Sequence, residues 1–477
     1  MSRNTKIVAT IGPASQDEQT IQKLLQAGLN VARLNFSHGS HANHAIIYKC
    51  LRDTAKRLNK PLTILQDLQG PKIRTGNLLN GSIDLKPGAK LTLTTDFVIG
   101  DDKLVSVDYP GLPHNLQPGN RILLDDGQLE LLVLSVGEKY VETKIILGGI
   151  LKPHKGVNLP GAVLDIAGFT QKDEADLVFG LELGVDVIAV SFVRSKADIE
   201  TIRKAIQSHA PHRQSIPIIA KLERPEALEN LESIVETADG VMVARGDLGV
   251  EMSPEAVPIA QKRIIEMANR HTKIVITATQ MLDSMIHNPR PTRAEASDVA
   301  NAIFDGTDAV MLSGETASGL FPVQSVEMMN AIALQTESYM ERWGHWHGPS
   351  EAHGSTDDTY FMTLAARELA HDRNVAAIAI FTKSGRTALL MSKTRPGVHI
   401  LAFTPEPDTY NRMQMYWGVT PHLVPHSNTI EDMIRVVEQE LVSSYAIRPG
   451  QQVVLICGYP IHEIRPTNLA ILHTVGR

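Results

Sequence analysis

The feature that most constrains the fold is a repeated unit: a short apolar segment followed by a segment whose apolar residues have helical spacing. Eight apolar segments are too short for helices and indicate buried strands. They are Lys6–Ile11, Asn30–Phe36, Leu62–Leu68, Asp186–Phe192, Ile216–Leu222, Gly240–Gly246, Lys273–Thr279 and Asp308–Gly314. Because helical patterns separate most neighbours, the sequence predicts an α/β fold, a (β/α)8 TIM barrel.

Residues at the predicted helix ends support this repeat. Ser15 is expected to cap the first helix, which should end at Gly28. Thr170 and Ser195 each precede an aspartate by three residues, which is typical of a helix start.

One tract interrupts the repeat between Gly70 and about Ala167. It is rich in glycine, proline and short alternating segments such as Lys90–Thr94 and Arg121–Leu124, with Asp125–Gly127 as a hairpin-type turn. We expect an inserted β-barrel-like lid domain at residues 71–167, so that the barrel comprises residues 1–70 and 168–342.

A second tract, the polar segment Trp343–Asp358, follows a helical pattern over Val326–Met340 and predicts a linker at residues 343–357. Its histidines (His345, His347 and His353) could be taken for a metal cluster, but unpaired linker histidines are the simpler interpretation. Apolar strands follow at Ala376–Phe381, His399–Phe403 and Gln452–Cys457. They predict a C-terminal α/β regulatory domain at residues 358–477.

Composition bounds the function. With 477 residues, 43% of them hydrophobic, the chain can form two or three domains. A net charge of −7 and a pI of about 6.2 argue against nucleic acid and anionic membranes as partners. Two cysteines, Cys50 and Cys457, exclude a disulfide framework and a four-cysteine metal site and suit the cytoplasm. No apolar stretch approaches the roughly 18 residues of a membrane span.

Polar residues gather at the carboxyl ends of the predicted strands, where barrels place active sites. They are Arg33, Asn35, Ser37, His38, Asp67, Lys221, Glu223, Arg245, Asp247, Thr279, Ser313 and Glu315. Each has a simpler alternative: a rim ion pair for Arg33 or Lys221, a helix-start charge for Glu223, a core hydroxyl for Thr279, a solvated Arg245–Asp247 pair. Their confinement to one end of most strands nevertheless predicts a site.

The residue types in this set suit phosphoryl transfer. Glu223 and Asp247 are hard oxygen ligands suited to Mg2+. Arg33 and Lys221 call for an anionic substrate, and backbone amides at Gly246 and Asp247 could cradle a carboxylate or phosphate. The sequence contains neither the P-loop nor the dinucleotide-binding glycine pattern.

Long motifs then identify the chain as similar to pyruvate kinases over nearly its whole length. They are KIVATIGPAS from Lys6, NVARLNFSHG from Asn30, GPKIRTG from Gly70, KGVNLPG from Lys155, IAKLE from Ile219, VMVARGDLGVE from Val241, TATQMLDSM from Thr277 and the stretch Pro291–Ala317. The resemblance implies a barrel with a lid and a C-terminal α/β domain. It also implies transfer of a phosphoryl group from phosphoenolpyruvate to ADP, giving pyruvate and ATP in the last step of glycolysis.

The resemblance also implies roles, residue by residue. Lys221 would stabilise the transferring phosphoryl group, Arg33 would grip phosphate, and Thr279 would lie by the enolate carbon. Glu223 and Asp247 would bind Mg2+, or Mn2+ in its place. The backbone amides of Gly246 and Asp247 would bind the substrate carboxylate. The implied nucleotide residues are Asn35, His38, Arg74 and Lys155, and the implied loop for a phosphorylated allosteric effector comprises Thr382, Ser384, Gly385, Arg386 and Thr387. A plain strand-to-helix turn is the alternative for that loop. Family habit suggests a homotetramer.

The chain departs from the K+-requiring members of the family at one position. Asn35, Ser37 and Asp67 match the K+ ligands, but Lys72 stands where those members carry glutamate. An ammonium can supply the positive charge that K+ would bring. We therefore expect no strict K+ requirement; the alternative is a surface lysine at a domain boundary.

Two other function classes stay open on the residues alone. A metal-dependent aldolase or lyase on a pyruvate-binding barrel would share the acid pair and the cations, but would need neither lid nor nucleotide. A non-catalytic sensor of phosphorylated metabolites would not need Lys221 together with the acid pair.

Overall fold

The computed structural model describes residues 3–162, 166–345, 357–445 and 447–477. The chain begins with three strands and two helices: β1 (Lys6–Thr10), α1 (Glu18–Ala27), β2 (Val31–Asn35), α2 (His41–Arg57) and β3 (Thr63–Asp67). Helix α1 ends at Gly28 as predicted, with φ 114°, a conformation that glycine adopts readily. The predicted cap was wrong: Asp17, not Ser15, accepts the Thr20 N–H, at 3.0 Å, whereas the Ser15 hydroxyl accepts the Gly12 N–H at 3.2 Å.

The inserted tract forms a β domain with its own apolar core. Its strands are β4 (Ile83–Leu85), β5 (Lys90–Thr94), β6 (Leu104–Ser106), β7 (Arg121–Leu124), β8 (Leu129–Val136), β9 (Tyr140–Leu147), β10 (Gly149–Leu151) and β11 (Val157–Asn158). Six of them form one sheet in the order β11-β7-β8-β9-β5-β6, and β10 pairs with β4. The predicted turn joins β7 to β8, with Asp125 and Asp126 at positive φ.

Two short segments, Ile73–Thr75 and Lys155–Val157, carry the chain into and out of this lid domain, and we call them the neck. The Thr75 N–H donates to the Lys155 carbonyl and the Val157 N–H to the Ile73 carbonyl, both at 2.9 Å. Arg74 and Gly156 form an antiparallel bridge between them. The two segments of the neck are therefore hydrogen-bonded to each other as well as to the rest of the lid domain.

The barrel then resumes with alternating helices and strands. They are α3 (Gln171–Leu183), β12 (Val187–Val190), α4 (Lys196–His209), β13 (Ile218–Leu222), α5 (Pro225–Glu229), α6 (Leu231–Thr237), β14 (Gly240–Ala244), α7 (Arg245–Glu251), α8 (Val257–Arg270), β15 (Ile274–Ala278), α9 (Arg293–Phe304), β16 (Ala309–Leu312), α10 (Gly314–Ala317), α11 (Pro322–Glu337) and α12 (Met340–Trp343). The helix starts predicted at Thr170 and Ser195 are confirmed, each with a capping box.

The eight barrel strands close in the order β1-β16-β15-β14-β13-β12-β3-β2, all parallel, which confirms the predicted fold class. β3 pairs directly with β12, so the lid is inserted between two neighbouring strands of the barrel. Parallel pairing brings all eight carboxyl ends to the face of the barrel where the predicted site residues lie.

The C-terminal part is a five-stranded sheet flanked by helices. Its elements are α13 (Asp358–Arg373), β17 (Ala377–Phe381), α14 (Arg386–Thr394), β18 (His399–Thr404), α15 (Pro407–Met413), β19 (Val419–Leu423), α16 (Ile430–Tyr445), β20 (Gln452–Cys457) and β21 (Leu469–Thr474). The strand order is β19-β18-β17-β20-β21, with only β21 antiparallel to its neighbour.

This C-terminal domain contacts the amino-terminal ends of the barrel strands. The ammonium of Lys393, 1% exposed, pairs with Asp308 just before β16 and donates to Asn269 Oδ1 at 2.9 Å. From the barrel side, Lys6 Nζ donates to the Val419 carbonyl at 2.7 Å. Buried lysines thus tie the two domains together at the face opposite the predicted site.

Most of the predicted linker, including His347 and His353, lies outside the described residues, and the domain boundaries given above stay a prediction. The backbone N–H of His345 donates to the Phe304 carbonyl at 2.8 Å. Among the residues that the structure describes, no helix combines the length and apolar character needed to cross a membrane.

Candidate active site

A cavity of about 620 Å³ opens at the carboxyl end of the barrel, facing the lid. Gly246, Asp247 and Thr279 line it from the barrel, and Lys72 and Asp126 line it from the lid side. Part of the predicted barrel set therefore shares one cavity with lid residues. Arg33, Lys221 and Glu223 are not among the residues that line this cavity.

Lys221, in β13, is a cation surrounded by three oxygen atoms. Its buried ammonium lies 2.7 Å from Ser191 Oγ, 2.9 Å from Glu223 Oε1 and 3.2 Å from Asp67 Oδ1. Three N–H protons meet three oxygen acceptors. Burial by itself lowers the pKa of Lys221, but the charges of Asp67 and Glu223 outweigh it and raise the pKa above its ordinary value. The side chain is held as a cation.

Asp67 connects Lys221 to Arg33. The Arg33 guanidinium donates from Nε to Asp67 Oδ2 at 2.6 Å and from Nη1 to Thr10 Oγ1 at 2.8 Å. Burial would raise the pKa of Asp67, yet Lys221 and Arg33 hold it below its usual range. Both predicted cations of the rim are therefore anchored by one buried carboxylate.

The predicted metal ligands come from adjacent strands. Glu223 follows β13, is buried, and accepts the Phe192 N–H at 2.6 Å, whereas Asp247 lies in the first turn of α7. Burial raises the pKa of Glu223 to about 7; Lys221 counteracts the effect and the like charge of Asp247 adds to it. Asp247 lines the cavity and Glu223 is buried beside it, close enough for the two carboxylates to repel each other. Such a pair is a donor set for a hard divalent cation.

Thr279 and Gly246 face each other across the ends of β14 and β15. Thr279 Oγ1 accepts the Gly246 N–H at 2.7 Å and donates to the Ala278 carbonyl at 2.6 Å. The amide of Gly246, predicted to cradle an anion, therefore has a hydroxyl partner here. A substrate oxygen would have to take the place of the Thr279 hydroxyl to accept from it.

The predicted nucleotide residues divide between barrel and lid. His38 lies after β2, and burial together with the charges of Arg74 and Lys72 lowers its pKa. Arg74 Nη1 donates to the His154 carbonyl at 2.9 Å. Lys155 Nζ pairs with Asp125 at 2.8 Å, within the lid.

Two of the three predicted K+ ligands, Asn35 and Asp67, already have partners for their side-chain oxygens. Asn35 Oδ1 accepts the backbone N–H of Ser37 at 3.1 Å. The carboxylate of Asp67 is neutralised by Arg33 and Lys221, as described above. Lys72 brings a further positive charge to the same rim, since it lines the cavity and acts on His38.

The predicted effector loop borders a separate pocket of about 230 Å³ in the C-terminal domain. Thr382, Ser384, Arg386 and Thr387 line it, and Gly385, at φ 81°, donates its N–H to Thr382 Oγ1 at 3.0 Å. Arg386 Nη2 pairs with Asp357 at 2.5 Å. The loop contains hydroxyls, backbone amides and a guanidinium around one concave space.

One residue of the site was missed from sequence, and one of the simpler alternatives to a site is wrong. Ser191, which holds Lys221, was not assigned, although a hydroxyl directly after β12 was the available signal. A solvated pair of Arg245 with Asp247 was the simpler interpretation of the strand end, and it is wrong: the largely buried guanidinium of Arg245 pairs with Asp298 at 2.6 Å.

With this geometry established, comparison with known proteins identifies relatives of both large parts of the chain. Residues 2–326 match the family model described as pyruvate kinase, barrel domain, and residues 362–473 match pyruvate kinase, alpha/beta domain.

Curated relatives match over nearly the full chain. A pyruvate kinase of Geobacillus stearothermophilus is 47% identical over 480 residues, covering 100% of this chain and 81% of the relative. One of Sporosarcina psychrophila is 43% identical, covering 99% and 81%. "Pyruvate kinase 2" of Synechocystis sp. is 48% identical, covering 96% and 77%.

Proposed function

The chain belongs to the pyruvate kinase family, and from that premise we propose which of its residues perform the reaction. The enzyme is a phosphotransferase of glycolysis that converts phosphoenolpyruvate to pyruvate and passes the phosphoryl group to ADP. We assign the chemistry to the carboxyl end of the barrel, with Lys221 as the central cation.

The observation that supports this assignment best is the surrounding of Lys221. A buried ammonium kept charged by Asp67 and Glu223 is preorganised to stabilise negative charge that develops on a transferring phosphoryl group. Arg33, fixed by Asp67, supplies the second cation and would bind the phosphate oxygens.

Pyruvate kinases are generally metal-dependent, and we assign the ion to Glu223 and Asp247. The fit rests on the donor set: two hard carboxylates from adjacent strands, one of them buried beside the other's charge. Mg2+ is the ion we propose, and Mn2+ would suit the same oxygens. When bound, such an ion neutralises charge on the phosphoryl and carboxylate oxygens of the substrate.

The other residues of the cavity orient the substrate and complete the proton transfer. The amides of Gly246 and Asp247 would receive the substrate carboxylate once the Thr279 hydroxyl turns from Gly246. Thr279 would then stand by the enolate carbon as part of the route that delivers a proton to it.

We assign ADP to the side of the cavity that faces the lid. Asn35, His38 and Arg74 would contact the nucleotide from the barrel rim and the neck. Lys155 would have to leave Asp125 and approach the nucleotide as the lid closes.

Regulation and assembly belong to the same proposal. A phosphorylated effector would bind the loop of Thr382, Ser384, Gly385, Arg386 and Thr387, and Lys72 would replace K+. We also propose a homotetramer, and a cytoplasmic location consistent with the free thiols of Cys50 and Cys457.

A coupled assay tests the function. Purified protein with Mg2+, ADP and phosphoenolpyruvate should form pyruvate. Omission of ADP should abolish pyruvate formation, whereas a lyase would not require ADP. Lys221→Met should lose nearly all turnover, on the order of 10²-fold or more, whereas Lys139→Met, an exposed lysine of the lid, should retain it. If Lys221→Met keeps a tenth of the activity, the central role of Lys221 is wrong.

A further inference from the structure

Two consecutive residues at the end of β15 have an unusual backbone. Thr279 has φ 68° and Gln280 φ 53°, although neither is glycine. Such left-handed conformations cost free energy and persist only where neighbouring groups hold them. The position of the Thr279 hydroxyl in the cavity therefore depends on whatever fixes this segment.

Arg245, directly after β14, contacts the carbonyls of both residues. Its Nη2 donates to the Thr279 carbonyl at 2.8 Å and to the Gln280 carbonyl at 3.2 Å, and Nε lies 3.3 Å from the Thr279 carbonyl. These carbonyls belong to the two residues with positive φ. One planar guanidinium thus clamps the strained segment from the neighbouring strand.

Two helices hold the guanidinium in turn. Nη1 of Arg245 donates to Asp298, in α9, at 2.7 Å, and to Gln261 Oε1, in α8, at 3.3 Å. The Arg245 side chain is only 10% exposed. Charge-assisted hydrogen bonds to a carboxylate are short and directional. Asp298 therefore fixes the orientation in which the guanidinium donates to the two carbonyls.

We propose that Arg245 is a positioning residue for the reaction: it holds the Thr279–Gln280 backbone in the conformation that keeps the Thr279 side chain at the cavity, where its hydroxyl meets Gly246 before substrate binds and the reacting carbon afterwards. This inference rests on the proposed role of Thr279 in proton delivery. It assigns a function to the arginine of the Arg-Gly-Asp sequence after β14, which contacts neither metal ligand nor substrate in the roles proposed above.

The planar fork is essential to this role. A guanidinium donates in several directions within one plane and spans the two carbonyls on one side and Asp298 on the other. A lysine ammonium at the same position is a point charge that could keep the ion pair but not both carbonyl contacts. Arg245→Lys is therefore expected to fail although charge is conserved.

The test follows a proton at carbon rather than overall turnover alone. In D2O with pyruvate, Mg2+ and ATP, the enzyme should remove a methyl proton of pyruvate and return a deuteron from solvent, which NMR detects. We expect Arg245→Lys and Arg245→Gln to reduce this exchange about tenfold or more, because small misplacements of a reacting group have effects of that size. The KM for phosphoenolpyruvate and the Mg2+ titration should change less than threefold.

Three comparisons make the result specific. Arg263→Gln, an exposed arginine of α8, should leave exchange unchanged. Thr279→Ala should reduce exchange, and the double variant Arg245→Gln/Thr279→Ala should be no worse than Thr279→Ala alone, since both changes remove one function. The urea midpoint of each variant reports whether it is folded, and Asp298→Asn, a milder change that leaves Arg245 in place, should reduce exchange in the same direction.

The outcomes separate the two proposals. If wild type forms no pyruvate from phosphoenolpyruvate, the proposed function fails. If Thr279→Ala exchanges protons at the wild-type rate, the role of Thr279 fails, and the inference fails with it. If Thr279→Ala is impaired while folded Arg245→Gln and Asp298→Asn exchange normally, or if the double variant shows additive losses, Arg245 does not position Thr279.

Discussion

At the scale of single residues, Lys72 leads to a prediction about the dependence of activity on K+. It lines the same cavity as Asp247 and Thr279, and Asp67 is already neutralised by Arg33 and Lys221. We therefore propose that the Lys72 ammonium supplies the positive charge that K+ would bring. We expect turnover in tetramethylammonium buffer to change less than twofold when KCl is added at constant ionic strength.

The reverse substitution supplies the control. Lys72→Glu should create a K+ requirement, because it replaces an ammonium with a carboxylate beside an anionic substrate. Lys152→Glu, an exposed residue of the lid, makes the same charge change elsewhere and should not. Tenfold stimulation of the wild type by K+ would refute the interpretation of Lys72.

The acid pair gives a second prediction at this scale. Glu223→Gln or Asp247→Asn should raise the Mg2+ concentration for half-maximal activity sharply, because each variant replaces one of few charged protein ligands with a neutral amide. The measurement is a Mg2+ titration at saturating phosphoenolpyruvate, with exposed Glu255→Gln as the control. An unchanged titration would place the ion elsewhere.

How far the sequence predicts the site depends on whether a partner is near in the chain. The acids and cations of the rim were identifiable because each lies in or directly after the carboxyl-terminal part of a buried strand. The partner of Arg245 was not: Asp247 is two residues away, but the fold pairs Arg245 with Asp298 on α9. Ser191 likewise meets Lys221 only once β12 and β13 lie side by side.

At the scale of elements, short apolar runs located the strands well. β5, β7 and β20 have the predicted bounds, and each end of the barrel strands lies within two residues of its predicted position. The start of α1 was misplaced because Ser15 and Asp17 are both good caps, and only the fold decides that Ser15 Oγ faces the Gly12 N–H.

Helix α14 carries a prediction about regulation. It begins at the predicted effector loop and contains, near its end, Lys393, which is buried against Asp308 at the barrel. A sugar phosphate or nucleoside monophosphate should lower the phosphoenolpyruvate concentration for half-activity, and Arg386→Ala should abolish that shift without changing basal turnover. The readout is substrate saturation with and without the phosphate compound.

Arg373→Ala provides the matched control, since Arg373 is an exposed arginine at the end of α13. It should respond like the wild type. A response that persists in Arg386→Ala would show that the effector binds away from this loop.

At the scale of the whole molecule, Lys6 predicts how stability depends on pH. Burial, with the charge of Arg3, lowers the pKa of Lys6 to about 7, although Glu337 acts in the opposite direction. The unfolded lysine titrates near its ordinary 10.5. Between these two values the unfolded chain binds the extra proton, so this group makes folding more favourable as pH rises from about 7, and contributes no slope below it.

Urea unfolding at pH 6, 7.5 and 9 tests this prediction. Relative to Lys6→Met, the wild type should gain free energy of unfolding between pH 7.5 and 9, and should gain much less between pH 6 and 7.5. Lys56→Met, an exposed lysine of α2, should show no such trend. Parallel curves for wild type and Lys6→Met would contradict the lowered pKa.

The contact between the C-terminal domain and the barrel could not be predicted from the sequence. Lysine usually lies at the surface, and although Lys6 begins a predicted buried strand, nothing along the chain indicates which groups surround the ammonium of Lys6 or of Lys393. Their environment arises only when β19 and α14 meet the amino-terminal ends of the barrel strands.

The neck has a consequence for the order in which the chain acquires its structure. β3 and β12 must pair to close the barrel, yet the whole lid lies between them in the chain. The entropy lost on closing a flexible loop grows with its length, and distant pairings slow folding. Once the lid has folded, the hydrogen bonds of Thr75 with Lys155 and of Val157 with Ile73 bring its two ends together. The folded lid then holds β3 and β12 close together, so that they pair without closing a long flexible loop. We therefore expect the inserted domain to fold before the barrel closes.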